Sequence, residues 1–260
     1  GSLVALFGTD YDSSDLNAVS TFTGSGNSGY LDGDSEDAEF SNQVGNIITD
    51  ISGNIYVADR ENRAIRKIDT QGNVSTYNKT GSELNGPSGM AFDDSGNMYV
   101  AEEWSNRISK IDPSGNVTPF ANVSQNWGTE NGPVAEASFE GMRDVAFDLQ
   151  GNLFVLTNHK IRKIAFSGEA ASVSDFIGSG NWGDEDGQGD QVRFGNVRNI
   201  VFDSQDNLYF SDENHQKIKK VSPDGTTITI AGNGNWDYAN GFGTNAKFRE
   251  PSMLTIDSSN

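Results

Sequence analysis

Apolar and polar residues alternate in short runs along most of the chain, and the clearest stretch is Asn46–Tyr77, NIITDISGNIYVADRENRAIRKIDTQGNVSTY. Alternation rich in β-branched and aromatic residues predicts half-buried β-strands. The pattern places four strands, at Asn46–Asp50, Asn54–Ala58, Ala64–Ile68 and Val74–Tyr77. Because the turns between them are only a few residues long, the four strands must form an antiparallel meander.

This unit recurs three more times, over Gly89–Phe120, Asp144–Phe176 and Asn199–Ile230. An aspartate closes each first strand and marks the register, at Asp50, Asp93, Asp148, Asp203 and Asp257. One step between these aspartates is about 43 residues and the others are about 55, near the period of propeller blades. A single four-stranded sheet cannot bury both of its faces, whereas radial stacking of such sheets does so. The repeats therefore predict an all-β fold, a β-propeller of four-stranded antiparallel blades.

The two ends of the chain resemble parts of one blade. LVALFG, near the start, suits a third strand, AVSTF suits a fourth strand, and SMLTID at residues 252–257 suits a first strand. We count five blade elements and expect a five- or six-bladed ring whose last blade is shared between the N- and C-termini. Residues 1–260 are expected to form one domain, either whole or part of a longer chain. Flanking domains or a neighbouring chain could complete the last blade by strand addition, since an open sheet edge invites pairing.

Composition narrows the classes of partner. The 260 residues carry a net charge of −19, which argues against binding to nucleic acid or an anionic membrane surface. No apolar run reaches membrane-spanning length, so we expect no direct membrane insertion. There is no cysteine and therefore no disulfide, and 30 glycines fit a chain with many turns.

Four long connections between blades resemble one another in being rich in Gly, Asn and Asp and in ending on a phenylalanine. They are Gly24–Phe40, Val123–Phe139, Gly178–Phe194 and Gly232–Phe248, and the connection after Tyr77 is shorter. Gly and Asn supply the positive φ angles that such turns need. We expect the recurring phenylalanines to fill the groove between adjacent blades.

The second and third strands resemble the NHL-repeat family of β-propellers, in its bacterial, extracytoplasmic form. The residues that carry this resemblance are GNIYVADRENRAIRKI, GNMYVAEEWSNRISKI, GNLFVLTNHKIRKI and DNLYFSDENHQKIKKV, together with connections of the type GSGNWGDEDGQGDQVRF. The resemblance covers residues 18–257 and implies a propeller. Family members include protein-binding scaffolds, extracytoplasmic binding domains and a minority of metal-dependent enzymes on related propellers.

Strand direction alternates within a blade, so the loops between second and third strands should share a face with the connections. We predict a ligand-contact surface on this face, made by Trp104, Trp127, Trp182, Trp236, Tyr238, Arg63 and Arg107. Exposed tryptophans with polar neighbours suit contact with a sugar or a peptide. In the competing interpretation, Trp127, Trp182 and Trp236 fold back and pin their own loops.

Two carboxylate clusters are candidates for calcium, since calcium takes several oxygen ligands at close spacing. They include Asp32 and Asp34 in the first cluster and Asp184, Asp186 and Asp190 in the second. Neither cluster matches a full calcium-loop signature, and solvated Asp-Gly turns are the simpler interpretation. We therefore expect no cofactor, with calcium as the one ion that these clusters suggest.

No catalytic residue is predicted, because the chain shows no nucleophile elbow and no phosphate-cradling loop. The interpretation we favour is a non-catalytic binding or scaffold propeller that contacts a protein or a glycan at the cell surface or outside the cell. A second class is a metal-dependent lyase or lactonase with its site at the channel mouth. A third is a structural spacer module of an adhesin.

Overall fold

The computed structural model describes residues 20–79, 81 and 83–257, and these residues form a β-propeller of four antiparallel blades. The strands of blade 1 are β1 Val44–Thr49, β2 Ile55–Asp59, β3 Ala64–Ile68 and β4 Val74–Thr76. Those of blade 2 are β5 Pro87–Phe92, β6 Met98–Glu102, β7 Arg107–Ile111 and β8 Val117–Ala121. In both blades each strand pairs with the next along the chain, as predicted.

Blades 3 and 4 each gain a short fifth strand at the outer edge, supplied by the connection that precedes the blade. In blade 3, β9 Gly132–Pro133 pairs with the last of the strands β10 Asp144–Phe147, β11 Leu153–Leu156, β12 Ile161–Ser167 and β13 Ala170–Ile177. In blade 4, β14 Gly187–Gln188 pairs with the last of β15 Val197–Phe202, β16 Leu208–Asp212, β17 Lys217–Val221 and β18 Thr226–Ala231. Two 3₁₀ turns, Gly189–Gln191 and Gly243–Asn245, complete the described elements.

The register aspartates turn the chain from the first strand to the second. Asp50 accepts hydrogen bonds of 2.9 Å from the backbone amides of Ser52 and Asn54, and the Asn54 side chain donates to it at 2.7 Å. The same Asp–Asn pairing recurs at Asp93, Asp148 and Asp203. These residues therefore fix the turn that reverses the chain at the same point of every blade.

Aromatic side chains fill the space between neighbouring blades. Tyr56 of blade 1 meets Phe92 of blade 2 edge to face, with ring centroids 5.1 Å apart, and Tyr99 and Phe154 make the corresponding contacts one and two blades further on. The connection phenylalanines Phe139 and Phe194 are buried in the same inter-blade cores, Phe40 is buried against blade 1, and Phe248 is only half-buried.

Each blade that follows a long connection holds that connection with a fully buried cation on its third strand. Arg66 donates to the backbone carbonyls of Leu31 and Glu39 and pairs with Asp59 at 3.0 Å. Arg162 and Lys219 occupy the same position in blades 3 and 4 and are equally buried. Blade 2 follows the short connection and has Ser109 there. A buried cation is thus found in each described blade that follows a long connection and is absent from blade 2, which follows the short one.

The expectation of five or six blades is wrong for the described residues, which form four. Residues 252–257 are described but are not a β-strand. They run beside β15, where Leu254 exchanges two hydrogen bonds of 2.9 Å with the side chain of Asn199. These contacts are made by a side chain rather than by a ladder of backbone groups, which explains the missing strand. The third strand expected in LVALFG and the start of AVSTF lie outside the described residues.

None of the described helices is long and apolar enough to cross a membrane.

Candidate functional site

The first strands of the four blades surround a central channel. Together with residues 253–256, β1, β5, β10 and β15 line a cavity of about 780 Å³. The innermost position of a blade is the first strand, so every blade contributes one set of side chains to this channel.

Four residues occupy one equivalent position in the channel, four places before each register aspartate: Asn46, Gly89, Asp144 and Asn199. Asp144 accepts a 3.0 Å hydrogen bond from the backbone amide of Ile200 in the next blade, as Asn199 does from Leu254. Asn46 reaches across to Asp144 at 3.1 Å. It can do so because Gly89, between them, has no side chain, and a Cβ there would lie 2.3 Å from Asp144. The result is a polar belt that ties blades 1, 3 and 4 together.

Asp144 places a buried carboxyl group at a position where blade 2 has Gly89, with no side chain, and blade 4 has the amide of Asn199. Burial raises the pKa of Asp144 to about 7, and the hydrogen bonds from Ile200 and Asn46 only partly oppose this. The group is therefore shared between its neutral and ionised forms near neutral pH.

Above this belt the channel opens into a mouth, a cavity of about 270 Å³. Its charged lining consists of three arginines and two glutamates: Arg60, Arg143, Arg198, Glu103 and Glu213. Arg143 immediately precedes β10 and Arg198 is the second residue of β15, whereas the other three come from loops between second and third strands. The mouth is thus lined by residues at the start of first strands and by residues on the loops between second and third strands.

Two of the three arginines are already paired. Arg60 contacts Glu103 at 2.6 Å, and Arg198 contacts Glu213 at 3.1 Å. The Arg143 side chain makes no ion pair or hydrogen bond with any other described residue. Burial lowers the pKa of Arg143, and Arg198 lowers it further while Glu103 and Glu213 act in the opposite sense. An arginine remains charged even so.

The tryptophans predicted for ligand contact lie on the same face as the mouth but do not converge. Trp127, Trp182 and Trp236 are exposed by 60–65 %, each on its own connection. The Trp182 ring is 4.6 Å from His215, which lies on a loop between second and third strands. This contact shows that the two sets of loops share a face. Trp236 is covered on one side by Arg249 at 4.5 Å, and Tyr238 is still more exposed.

Trp104 is the predicted residue that lies nearest the mouth. Its ring packs against the guanidinium of Arg60, which lines the mouth, at 5.6 Å, and against Arg63 at 5.9 Å. Arg63 itself lines a different cavity, beside Tyr30 and Asn62. Arg107 makes two hydrogen bonds, of 3.0 and 2.8 Å, to the buried carboxylate of Glu102. Arg107 is therefore placed to neutralise a buried charge.

The calcium candidates mostly face cations or their own turns. Asp32 pairs with Arg66 at 2.7 Å, and Asp184 and Asp186 both pair with Lys219. Asp34 accepts from two amides of its own loop, and Asp190 lies in a 3₁₀ turn. Within the described residues no group of three or more His, Cys, Asp or Glu side chains is close enough to hold a metal ion.

Sequence reasoning missed Arg60, Arg143, Arg198 and the two glutamates of the mouth. A signal was present one residue before the polar belt. That column reads Gly45, Ser88, Arg143, Arg198 and Ser252, so a large cation replaces a small residue in two successive blades.

No family model matches the chain, and no curated protein matches it. Solved structures do match. An auxiliary nutrient binding protein from Bacteroides ovatus superposes with a TM-score of 0.69 at 19 % identity, over 86 % of this chain and 56 % of that one. A gluconolactonase from Xanthomonas campestris gives 0.60 at 13 % identity, over 93 % and 69 %. A streptogramin B lyase gives 0.52 at 13 % identity, over 72 % and 54 %.

The chain therefore spans little more than half the length of the lyase and of the nutrient-binding protein that it matches. Identities this low support the fold alone, and the neighbours include both enzymes and binding proteins. The NHL assignment stays a prediction from the residues, and the comparisons establish that this chain is similar to known β-propellers.

Proposed function

We propose that this protein is an extracytoplasmic, NHL-type binding propeller that holds a glycan or a protein partner on the face that carries its four tryptophans. The observation that carries the proposal is the exposure of Trp127, Trp182 and Trp236, at 60–65 % each, on equivalent positions of three connections. Tryptophan is enriched at binding surfaces because its ring gives a large contact area and its N–H a polar contact. Their Gly-, Asn- and Asp-rich surroundings offer hydrogen bonds beside a flat apolar surface, the combination that suits a sugar ring or a polar peptide.

The competing role, that these tryptophans only pin their loops, accounts for one side of each ring at most. Trp236 packs on Arg249 and Trp182 lies against His215, yet more than half of each tryptophan is open to solvent. A ligand that covers the open side buries apolar surface, and each Å² buried contributes about 25 cal/mol to the free energy of binding. A binding role is also one that this fold serves, since a structural neighbour is named as a nutrient-binding protein.

The proposal is tested by screening glycans and candidate surface proteins while following tryptophan fluorescence. The chain has four tryptophans, all on this face, so a change in emission reports on this face. Trp182→Ala and Trp236→Ala are expected to weaken binding about tenfold or more, with little change in melting temperature.

The matched control is Leu149→Ala, which removes an exposed apolar side chain from the turn between β10 and β11, on the opposite face. The control is expected to bind as the unmodified protein does. Equal binding by all three variants would contradict the proposal, as would turnover of the captured ligand by the purified protein.

A further inference from the structure

The channel mouth holds an arginine, Arg143, that forms no ion pair of its own within the described residues. Arg143 has no ion-pair or hydrogen-bond partner among the described residues, while the other two arginines of the mouth each face a glutamate. The lining of the mouth has three guanidinium groups and two carboxylates, one positive charge in excess, and the buried Asp144 below it is ionised only in part near neutral pH. The chain as a whole has a net charge of −19, so a site lined with an excess of positive charge differs from the rest of the protein. A singly charged anion would balance it.

The mouth is also shaped to receive a group beside Arg143. At the equivalent positions of blades 1 and 2 the chain has Gly45 and Ser88, which leave space opposite the two arginines. Gly45 packs against β5 so closely that a Cβ would lie 2.7 Å from the Ser88 carbonyl oxygen. The space is therefore a consequence of the packing of blades 1 and 2. Its volume of about 270 Å³ lies just below the usual range of ligand pockets and suits a ligand no larger than one sugar unit.

The rest of the lining favours a ligand with many hydroxyl groups. Ser252 offers a donor and an acceptor, and Ser88, whose hydroxyl donates to the Ala101 carbonyl, offers an acceptor. Glu103 and Glu213 pair with Arg60 and Arg198 and keep further acceptor positions on their carboxylates. Trp104 stands beside Arg60 at the edge of the same opening. An acidic peptide would match the charge but would leave much of this polar lining unused, and so an acidic sugar fits it better.

We propose that the channel mouth is a subsite for a uronic acid, whose carboxylate is held by Arg143 with Arg60 and Arg198 beside it. A guanidinium matches a carboxylate through two parallel hydrogen bonds, which gives direction as well as charge. This inference rests on the proposed binding function and narrows it to a glycan that carries carboxylates.

The test measures binding of D-glucuronate and D-galacturonate by ligand-observed NMR and calorimetry, against D-glucose and D-galactose as neutral counterparts. At least one uronate is expected to bind, and its neutral counterpart to bind at least tenfold more weakly. Arg143→Gln is expected to weaken uronate binding about 10- to 100-fold, the loss typical of a charge-assisted hydrogen bond. The uronate affinity of Arg143→Lys should lie between those of the unmodified protein and Arg143→Gln, because lysine keeps the charge and loses the two parallel hydrogen bonds.

Arg193→Gln is the matched control. Arg193 is an exposed arginine on the connection before blade 4, 3.8 Å from Glu185, and its loss should leave uronate binding unchanged. Triglutamate and inorganic phosphate serve as alternative anions. Uronate binding that depends on Arg143 and is not matched by these two supports the inference.

The inference is overturned if neither uronate binds, if Arg143→Gln binds as well as the unmodified protein, or if triglutamate or phosphate binds at the mouth as tightly as the uronates. Failure here is distinguishable from failure of the proposed function. Neutral glycans that bind through Trp182 and Trp236 would uphold the function and reject the uronate subsite. If uronate binding depends on Arg143 but not on Trp182 or Trp236, the uronate subsite is upheld and the role of the tryptophan face is rejected.

Discussion

Replacing Asp144 by asparagine should stabilise the protein at alkaline pH. Asp144 sits in the polar belt of the channel, where the equivalent residues of blades 1 and 4 are Asn46 and Asn199. Asn199 already shows that an asparagine can accept the amide of the next blade, here from Leu254 at 2.9 Å. An asparagine at 144 would keep the hydrogen bond from Ile200, give up the one from the Asn46 side chain, and remove a buried charge.

The magnitude follows from the pKa of Asp144, which burial raises from 3.8 to about 7 in the folded protein. Between these values the folded state binds more protons than the unfolded state, so this group lowers the free energy of unfolding as the pH rises. Three pH units correspond to about 4 kcal/mol. This cost is absent below about pH 4 and complete above about pH 7.

The assay is thermal and urea unfolding of the native protein and Asp144→Asn from pH 4 to pH 8. The variant should gain about 1–4 kcal/mol at pH 8, which raises the melting temperature by about 2–4 °C for each kcal/mol in a chain of this size. The gain should shrink steadily toward pH 4.

Asp203→Asn provides a control of opposite sign. Burial alone would raise the pKa of Asp203, but hydrogen bonds from Asn207, Gln205 and Tyr209 outweigh it and lower this pKa. Its replacement should therefore cost stability at pH 8. A gain for Asp144→Asn that does not change with pH, or no gain at pH 8, would refute the reasoning about the buried carboxyl group.

Three further substitutions test the packing and the face. Phe194→Ala removes a fully buried ring between blades and should cost about 3–5 kcal/mol in urea unfolding; a loss below 1 kcal/mol would contradict its role in the core. Arg66→Met should cost about 3–5 kcal/mol, because it leaves the buried Asp59 carboxylate without its cation, and hydrogen exchange should rise in residues 24–40; unchanged exchange there would show that Arg66 does not anchor this connection. Trp182→Ala should leave the melting temperature within about 2 °C of the unmodified protein, since the ring is 60 % exposed; a drop of 6 °C or more would mean that it pins its loop.

The blades could be predicted from the sequence because each carries its own complete signal. Alternating residues define the strands, and Asp50 and its counterparts fix the turns. Of the phenylalanines predicted to fill the grooves, Phe139 and Phe194 do so, Phe40 is buried against blade 1, and Phe248 stays half-buried. The blade count could not be predicted in the same way. A run such as SMLTID has the residues of a first strand, but becoming a strand requires a partner that the run itself does not specify.

The mouth of the channel could not be assembled from the sequence for a related reason. Arg60 and Arg143 are 83 positions apart and line one cavity only because the blades are arranged around a common axis. The exposed tryptophans were easier to find, since Trp127, Trp182 and Trp236 repeat with their surroundings. Arg143 differs from its counterparts in blades 1 and 2, and so it is concealed by a search for repeats.

The central claim is that one face of the propeller, with the mouth at its centre, receives the ligand. The most direct measurement is hydrogen–deuterium exchange of the native protein with and without the glycan or protein captured in the screen. The account predicts protection in the connections 123–139, 178–194 and 232–248 and around Arg143, with none in the turns 51–53, 94–96, 149–151 and 204–206 on the opposite face. Protection confined to those opposite turns would contradict it.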